Sequence, residues 1–187
     1  MRALALGLAL WTGAAQAQAV RLAPAAPQPE APAPGLSVRY AYPGDVQSLS
    51  EAEATEGQAE PGPPLIGFDY PDTYAGEDAL TSRRAERVVA FIDGWLNFPE
   101  AGVWRVQFHS NDGLEVRIGG AEVYRHDGRH GCETLGWQTE LEIPEPGWYP
   151  LEAVWFQRQG TSCLLMEWSP PSGEMGWTPN DALGRTE

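Results

Sequence analysis

The sequence predicts an all-β fold, an antiparallel and jelly-roll-like β-sandwich with short helical or irregular insertions. Apolar and polar residues alternate with period two, most clearly where Trp104, Val106 and Phe108 are separated by polar side chains. This period is typical of half-buried strands. Short apolar runs also follow one another closely, with turn residues between them and no long helical pattern. Strands at this spacing predict two packed antiparallel sheets.

The predicted strands follow in chain order. They cover residues 36–42, 86–97, 103–110, 114–118, 122–125, 136–143, 148–157 and 163–168. The turns between them, at residues 99–102, 110–113, 119–120, 144–147 and 158–160, contain the Gly, Pro and Asx residues that favour chain reversal. Residues 110–113 are interpreted as a hairpin connection, Ser48 as the cap of a short helix, and residues 70–84 as a loop.

The N-terminus predicts an export signal followed by a linker. Residues 1–19 carry a positive charge at Arg2, an apolar run, and small-x-small sites for cleavage after Ala17 or Ala19. Because the apolar run is shorter than the ~20 residues of a membrane span, we expect no membrane insertion of the mature chain and a periplasmic or extracellular location. Residues 20–35, rich in Ala and Pro, predict an extended, solvated linker. Residues 36–187 are predicted to form the folded domain.

The chain is acidic, with 26 acidic and 12 basic residues and a formal net charge of −14 at pH 7. Such a surface repels phosphate backbones, which excludes nucleic acid as a partner. Solubility in an exported compartment is sufficient to explain the net negative charge. An acidic surface does not by itself define a cation site.

Cys132 and Cys163 are the two cysteines of the chain, and each adjoins a segment expected to be ordered. Because disulfides persist in oxidising compartments, export favours one intramolecular bond between them. Such a bond stabilises a fold by about 3–4 kcal/mol in the chain-entropy description. Two separate thiols are the alternative. A metal role is disfavoured because no CxxC spacing is present.

Several motifs follow one another in an informative order. They are Gly94-Trp-Leu with Pro99-Glu-Ala-Gly-Val-Trp104, Ser110-Asn-Asp-Gly113, His126-Asp-Gly-Arg-His130, Pro146-Gly-Trp-Tyr149, Leu164-Leu-Met-Glu-Trp168, Ser169-Pro-Pro-Ser-Gly173 and Thr178-Pro-Asn-Asp-Ala-Leu183. Together they resemble the protective-antigen-type, or "PA fourteen", lectin-like domain of bacterial toxins, glycosidases and yeast adhesins, over roughly residues 36–184. The first motif pair looks like the family's first central hairpin. The resemblance implies a β-sandwich and a lectin-like role, although a fold does not fix function.

The resemblance also implies a sugar-binding site at the acidic turn. Calcium-dependent members of the family carry two adjacent aspartates there, which chelate Ca²⁺ while the ion binds sugar hydroxyls. Here Asn111 precedes Asp112, so a neutral amide oxygen replaces one carboxylate and only weak calcium binding by Asp112 is expected. The favoured alternative is a structural turn, in which Asn111, Asp112 and Gly113 bond to nearby backbone groups.

His126, His130, Tyr124 and Trp177 complete the candidate sugar contacts. The two histidines flank a loop that we interpret as structural or sugar-contacting rather than as a transition-metal site, because no third strong ligand is apparent nearby. Aromatic rings are the usual platform for the apolar faces of sugars. Strand phase predicts core positions for Trp104, Trp137, Trp155 and Trp168 and surface positions for Trp148 and Phe156. Tyr124, just before the His126 loop, and Trp177, in an irregular Gly-rich segment, are also expected at the surface.

The sequence favours binding over catalysis. No spacing singles out two carboxylates for glycoside hydrolysis, and no nucleophile triad or phosphate-binding loop stands out. We therefore expect no enzymatic activity. The predicted function is an exported carbohydrate-binding module that contacts a glycan or cell-envelope polysaccharide through its loops. The alternative is a structural or interaction domain of the envelope that presents the same fold to a partner protein.

Overall fold

The computed structural model of this chain describes residues 18–133 and 136–186. It is a β-sandwich of two mainly antiparallel sheets, so the predicted fold class is confirmed. Residues 1–17, which hold most of the predicted export signal, lie outside the described residues.

The strands are short to medium in length and are joined by compact connections. They are β1 (Val20–Arg21), β2 (Ala33–Pro34), β3 (Ser37–Ala41), β4 (Glu60–Pro61), β5 (Asp69–Tyr70), β6 (Val88–Phe98), β7 (Gly102–Asn111), β8 (Leu114–Ile118), β9 (Ala121–His126), β10 (Thr139–Ile143), β11 (Gly147–Gln157), β12 (Cys163–Ser169), β13 (Gly176–Trp177) and β14 (Leu183–Arg185). The helical insertions are α1 (Leu49–Glu53) and the 3-10 helices Glu56–Gln58 and Asn180–Ala182. Across the described part of the chain, no helix has the length and apolar character needed to cross a membrane.

The strands form two sheets that pack face to face. The six-stranded sheet has the order β1-β10-β7-β12-β13, and β5 pairs with β12. The eight-stranded sheet has the order β2-β14-β6-β11-β8-β9, with β3 paired to β6 and β4 paired to β3. Of the pairings between described strands, the one between β1 and β10 is parallel and the others are antiparallel.

The inward phase of each strand fills the space between the sheets. In β7, Trp104, Val106 and Phe108 are at most 2% exposed, whereas the residues between them face outward and are half-buried. β11 contributes Tyr149, Leu151 and Trp155 to the same core. Burial of these apolar surfaces is the main favourable contribution to folding.

Two connections that were expected to be hairpins instead pass from one sheet to the other. β6 belongs to the eight-stranded sheet and β7 to the six-stranded sheet, so residues 99–101 cross the sandwich. Residues 110–113 cross back to β8, so the hairpin predicted there is wrong. Turn residues mark where a chain bends, whereas the partner strand is chosen by long-range packing. Gly119 and Gly120 do close a hairpin, between β8 and β9, and Gly119 has the left-handed φ of 57° that favours glycine.

An aromatic cluster joins the two sheets near one end of the core. The ring of Phe98 lies 5.2 Å from that of Trp104 and 5.3 Å from that of Tyr149, with nearly perpendicular planes for the second pair. Trp104 also contacts Trp168, with 4.8 Å between ring centroids. Edge-to-face and tilted aromatic contacts of this kind add specificity to the area that they bury.

Three predictions for aromatic residues are wrong. Phe156 is fully buried, because α1 covers the outer face of the eight-stranded sheet and places Leu49 in the same apolar cluster. Tyr124 is only 5% exposed, since its ring packs against Phe108 with 5.1 Å between centroids. Trp137 is 62% exposed because it precedes β10 and lies outside the paired strand. Trp104 and Trp155 are buried and Trp177 is exposed, as predicted, while Trp148 and Trp168 are half-buried.

The short helix forms where its cap is predicted. Ser48 precedes α1 in an extended conformation, and its hydroxyl oxygen accepts a hydrogen bond from the backbone N–H of Glu51 at 3.3 Å. The Glu51 carboxylate accepts one from the backbone N–H of Gln47 at 2.7 Å. Such reciprocal bonds satisfy amide groups that a helix start leaves without partners.

Residues 20–35 are not a solvated linker, contrary to the prediction. β1 pairs with β10 and β2 pairs with β14, so this segment forms the outermost strand of each sheet. Leu22 is 2% exposed within the core, and Oε1 of Gln28 accepts a hydrogen bond from the backbone N–H of Trp148 at 2.7 Å. The composition correctly indicates extended backbone, but an extended segment can add to a sheet edge as well as lie in solvent.

Replacing Trp104 with Ala should lower the free energy of unfolding by about 3–5 kcal/mol, because it empties a large core site. Besides its ring contacts, the indole Nε1 of Trp104 donates a hydrogen bond to the carbonyl oxygen of Glu100 at 3.1 Å. Denaturant unfolding measures the effect. The matched control is Trp137→Ala, an exposed indole whose loss should cost no more than about 0.5 kcal/mol. Equal, small effects of the two changes would contradict the core assignment of Trp104.

Candidate functional site

Four connections meet at one edge of the sandwich, which we call the loop edge: residues 71–87, 110–113, 127–133 and 158–162. Backbone hydrogen bonds tie them together. The N–H of Thr73 donates to the carbonyl oxygen of Ser162 at 3.1 Å, and the N–H of Arg87 donates to that of Arg158 at 3.1 Å. The loop edge therefore behaves as one ordered surface rather than as separate loops.

The Asp112 side chain bonds two of these connections, residues 127–133 and 158–162, to residues 110–113, which cross between the sheets. Its Oδ1 accepts a hydrogen bond from the backbone N–H of His130 at 3.0 Å, and its Oδ2 accepts one from that of Arg158 at 2.8 Å. Its own backbone N–H donates to the carbonyl oxygen of Phe156 at 3.0 Å. Burial raises the pKa of the Asp112 carboxyl above its usual range, and the hydrogen bonds from Arg158 and His130 oppose that rise.

Asn111 is bonded to the same group of loops. Its Nδ2 donates to the hydroxyl of Thr161 at 3.0 Å, and Asn111 and Asp112 are each 5% exposed. The peptide bond between them is cis. Asn111 and Asp112 thus lie at the base of the loop edge, where they contact protein groups on several sides.

His126 and His130 stack on each other across their loop. Their ring centroids are 3.5 Å apart and their planes are within 4° of parallel. Nδ1 of His126 and Nε2 of His130 are buried and have no hydrogen-bond partner among the described residues. Burial lowers the pKa of His126, and the adjacent His130 lowers it further, against the opposing effect of Glu133 and Asp127. Both effects favour the neutral form of His126.

The loop that carries His130 is anchored at both ends. Oδ1 of Asp127 accepts hydrogen bonds from the backbone N–H groups of Leu49 and Gly128, each at 2.7 Å. At the other end Cys132 forms a disulfide with Cys163, with 5.8 Å between their Cα atoms, so the predicted pairing is confirmed. This bond is typical of exported proteins, and it joins the loop to the first residue of β12.

The donor set at the loop edge fits a calcium ion poorly. Ca²⁺ takes about six to eight oxygen ligands, yet both carboxylate oxygens of Asp112 already accept backbone hydrogen bonds. Among the described residues, the one grouping of three metal-ligating side chains is Asp72 with Cys132 and Cys163, whose sulfur atoms are joined in the disulfide. The arrangement around Asp112 is that of a hydrogen-bonded clamp.

The predicted site residues lie in three different environments. Asn111, Asp112, His126 and His130 meet at the loop edge, whereas Trp177 lies on the six-stranded sheet, paired with Glu167. Tyr124 belongs to the core. Gly113 has a packing role, because an added Cβ would lie 2.4 Å from a ring carbon of Phe156.

Sequence reasoning missed Thr161 and the backbone of Arg158, which complete the loop edge. Arg158 is 46 residues from Asp112 in the chain. Residues 158–160 were interpreted only as a turn, and nothing in the local sequence pattern indicates which loop Arg158 contacts. The side chain of Arg158 also forms an ion pair with Asp45 at 2.8 Å, which links the loop edge to the segment before α1.

No protein-family model matches this sequence, and the comparison with curated proteins finds no match. Solved structures do match. The PA14 domain of the MpAFP antifreeze protein superimposes with a TM-score of 0.68 and 16% identity, over 86% of this chain and 95% of that one. The PA14 sugar-binding domain of an RTX adhesin gives a TM-score of 0.66 and 15% identity, over 83% and 99%. The chain therefore has the PA14-type fold.

A yeast adhesin shows the same similarity. The A domain of epithelial adhesin 9 from Candida glabrata, solved in complex with Galb1-4GlcNAc, superimposes with a TM-score of 0.62 and 12% identity. The match covers 85% of this chain and 92% of that domain. At these identities the likeness establishes the fold.

Calcium should leave the melting temperature of the wild-type protein unchanged. An ion that binds only the folded state raises that temperature, with the logarithm of its excess over Kd, but here the Asp112 carboxylate is buried, accepts two backbone hydrogen bonds and has no second carboxylate beside it. The measurement compares ~10 mM Ca²⁺, ample for a weak extracellular site, with chelator. The Asn111→Asp variant tests whether a second carboxylate creates a site. A rise in the wild type that Asp112→Asn abolishes would contradict this expectation.

Acid should destabilise the protein through His126. Its pKa is lower in the folded state than the ordinary 6.5, so in the interval between the two values the unfolded chain binds more protons. The stabilising contribution is complete above pH 6.5 and is lost as the pH falls below it. Between pH 7.5 and 5.5 the wild type should therefore lose more unfolding free energy than His126→Gln. Parallel pH profiles for the two proteins would refute this.

Proposed function

We propose that this chain is an exported, non-catalytic carbohydrate-binding domain that contacts a glycan at the loop edge. The observation that carries the proposal is the PA14-type fold, shared with the RTX adhesin domain described as sugar-binding and with the adhesin 9 domain in complex with Galb1-4GlcNAc. Because a fold alone does not fix function, the residues at the loop edge must supply the rest of the argument.

The loop edge has the preorganisation that sugar binding requires. Hydrogen bonds to Asp112, the Cys132–Cys163 disulfide and the Asp127 contacts hold its connections in place. A glycan that binds there does not have to order the protein first, which reduces the entropic cost of association. Rigid loops on a β-sandwich are a common location for binding residues.

We assign the direct contacts to His126 and His130. The imidazole rings of the two histidines are half-buried, and the exposed part of each ring can contact a sugar, while the buried Asn111 amide supports the loops through its bond to Thr161. Asp112 acts as the clamp beneath them. In this proposal the binding does not depend on calcium.

The partner is an uncharged glycan of a periplasmic or extracellular surface. A net charge of −14 repels polyanionic chains, and the disulfide suits an oxidising compartment. Catalysis has no part in the proposal, and the three solved domains compared above are named as adhesin or antifreeze-protein domains.

A glycan array tests the proposal. The wild-type protein should bind one or more neutral glycans equally well with Ca²⁺ and with chelator, and His130→Ala should weaken that binding by about tenfold or more, the usual effect of removing a central contact. The matched control is Glu100→Ala, an exposed change at the opposite edge of the sandwich. Absence of any glycan binding by the wild type would reject the proposal in favour of a structural or protein-interaction domain.

A further inference from the structure

The outer face of the six-stranded sheet carries an exposed indole beside a fixed polar cluster. We call the residues Trp177, Glu167, Gln107 and His109 the Trp177 face. Trp177 is 60% exposed, and its ring centroid lies 5.6 Å from that of His109 at a tilt of 52°. The loop-edge function makes no use of this arrangement.

The period-two phase of the strands brings these residues together. Trp177 of β13 pairs with Glu167 of β12, and Glu167 pairs in turn with Gln107 of β7. Directly paired residues share one face of a sheet, and residues two apart along a strand also share it, which adds His109. The inward neighbours Phe108 and Met166 are buried in the core, so the Trp177 face points away from it.

Hydrogen bonds fix the polar part of the face. Oε2 of Glu167 accepts from Nε2 of Gln107 at 3.0 Å and lies 3.0 Å from Nε2 of His109. The side chains of His109 and Glu167 are only 19% and 21% exposed, so their positions are restricted by neighbours. Within the described residues, Oε1 of Glu167 and Oε1 of Gln107 accept no hydrogen bond, which leaves them free for a ligand.

Among the described residues, the arginines of the six-stranded sheet are already paired, so the face does not suit an anionic ligand. The guanidinium of Arg105 donates to Ser169 at 2.9 Å and to Gln138 at 3.4 Å. Arg21 forms an ion pair with Glu142. The exposed carboxylate of Glu140 adds negative charge beside Arg105. Uronate and sulfated sugars would meet these carboxylates without a free cation to offset them.

We propose that the Trp177 face is a second saccharide-binding subsite, which takes an uncharged hexopyranose unit of a polysaccharide. The apolar C–H face of the sugar stacks on the exposed indole, which is a rigid contact surface. Sugar hydroxyls donate to the free oxygens of Glu167 and Gln107, and a bond to an ionised carboxylate is the stronger of the two. An exposed Trp that packed only for stability would gain little, because most of its surface stays in water.

This subsite is distinct from the loop edge. Asn111 pairs with Cys163, whereas Trp177 pairs with Glu167 four residues further along β12, a distance of roughly 13 Å at the rise of a strand. The inference rests on the proposed carbohydrate function for its ligand class. Variants of the two surfaces separate the two claims.

The test is titration calorimetry of the full chain with soluble neutral polysaccharides, namely a β-glucan, a galactan and a mannan, and with polygalacturonate as an anionic probe. Trp177→Ala should weaken binding of a neutral polysaccharide by about tenfold or more, as loss of a central aromatic contact does. Trp177→Phe should retain most of the affinity, and Glu167→Gln should weaken it. Because Trp177 is exposed, melting temperatures should change by no more than a degree or two.

The matched control is Trp137→Ala, which removes an equally exposed indole elsewhere and should leave affinity within about twofold. The subsite is overturned if Trp177→Ala binds as the wild type does, if Trp137→Ala weakens binding equally, or if polygalacturonate is the preferred ligand. Loss of affinity in His130→Ala alone would overturn the subsite and leave the loop-edge function standing. A wild type that binds no glycan would reject both.

Discussion

The two sheets of this domain bury an apolar face against each other, and the rest of the structure depends on that mutual burial. Buried and more exposed residues alternate over most of β7, β11 and β12, and the ring contacts of Phe98, Trp104 and Tyr149 join the layers. Because most consecutive strands belong to different sheets, most connections cross from one sheet to the other. The loop edge exists because the chain must make these crossings.

A sheet also needs its edges protected, and the N-terminal segment covers one edge of each sheet. An unpaired edge strand presents free N–H and C=O groups that invite pairing with another chain. β1 occupies one edge of the six-stranded sheet and β2 one edge of the eight-stranded sheet. The prolines of residues 20–35 lack an amide donor, so they cannot extend the pairing further. A segment whose composition indicates a spacer thus acts as an edge cover.

The strand pattern could be predicted from the sequence because burial in a two-layer sandwich imposes a period of two on each strand. The predicted strand of residues 114–118 agrees with β8 at both ends. Errors appeared where a second element decides the environment. The phase of Phe156 indicates solvent, yet α1 covers it, and residues 110–113 bend as expected but toward the other sheet. Of the candidate site, the Cys132–Cys163 pairing could be predicted, whereas the contacts of Asp112 with residues far along the chain could not.

The two proposed surfaces differ in how closely binding is coupled to stability. At the loop edge the polar groups are buried and bonded to one another, so removing Asp112 disturbs both the fold and any ligand contact, since a lost partner leaves buried N–H groups unsatisfied. On the Trp177 face the outward phase leaves the indole in solvent, and its loss costs the core nothing. Packing between the sheets restricts the inward-facing residues of each strand. Outward-facing residues that no other element covers, such as Trp177, can therefore change and form a new contact surface without refolding the domain.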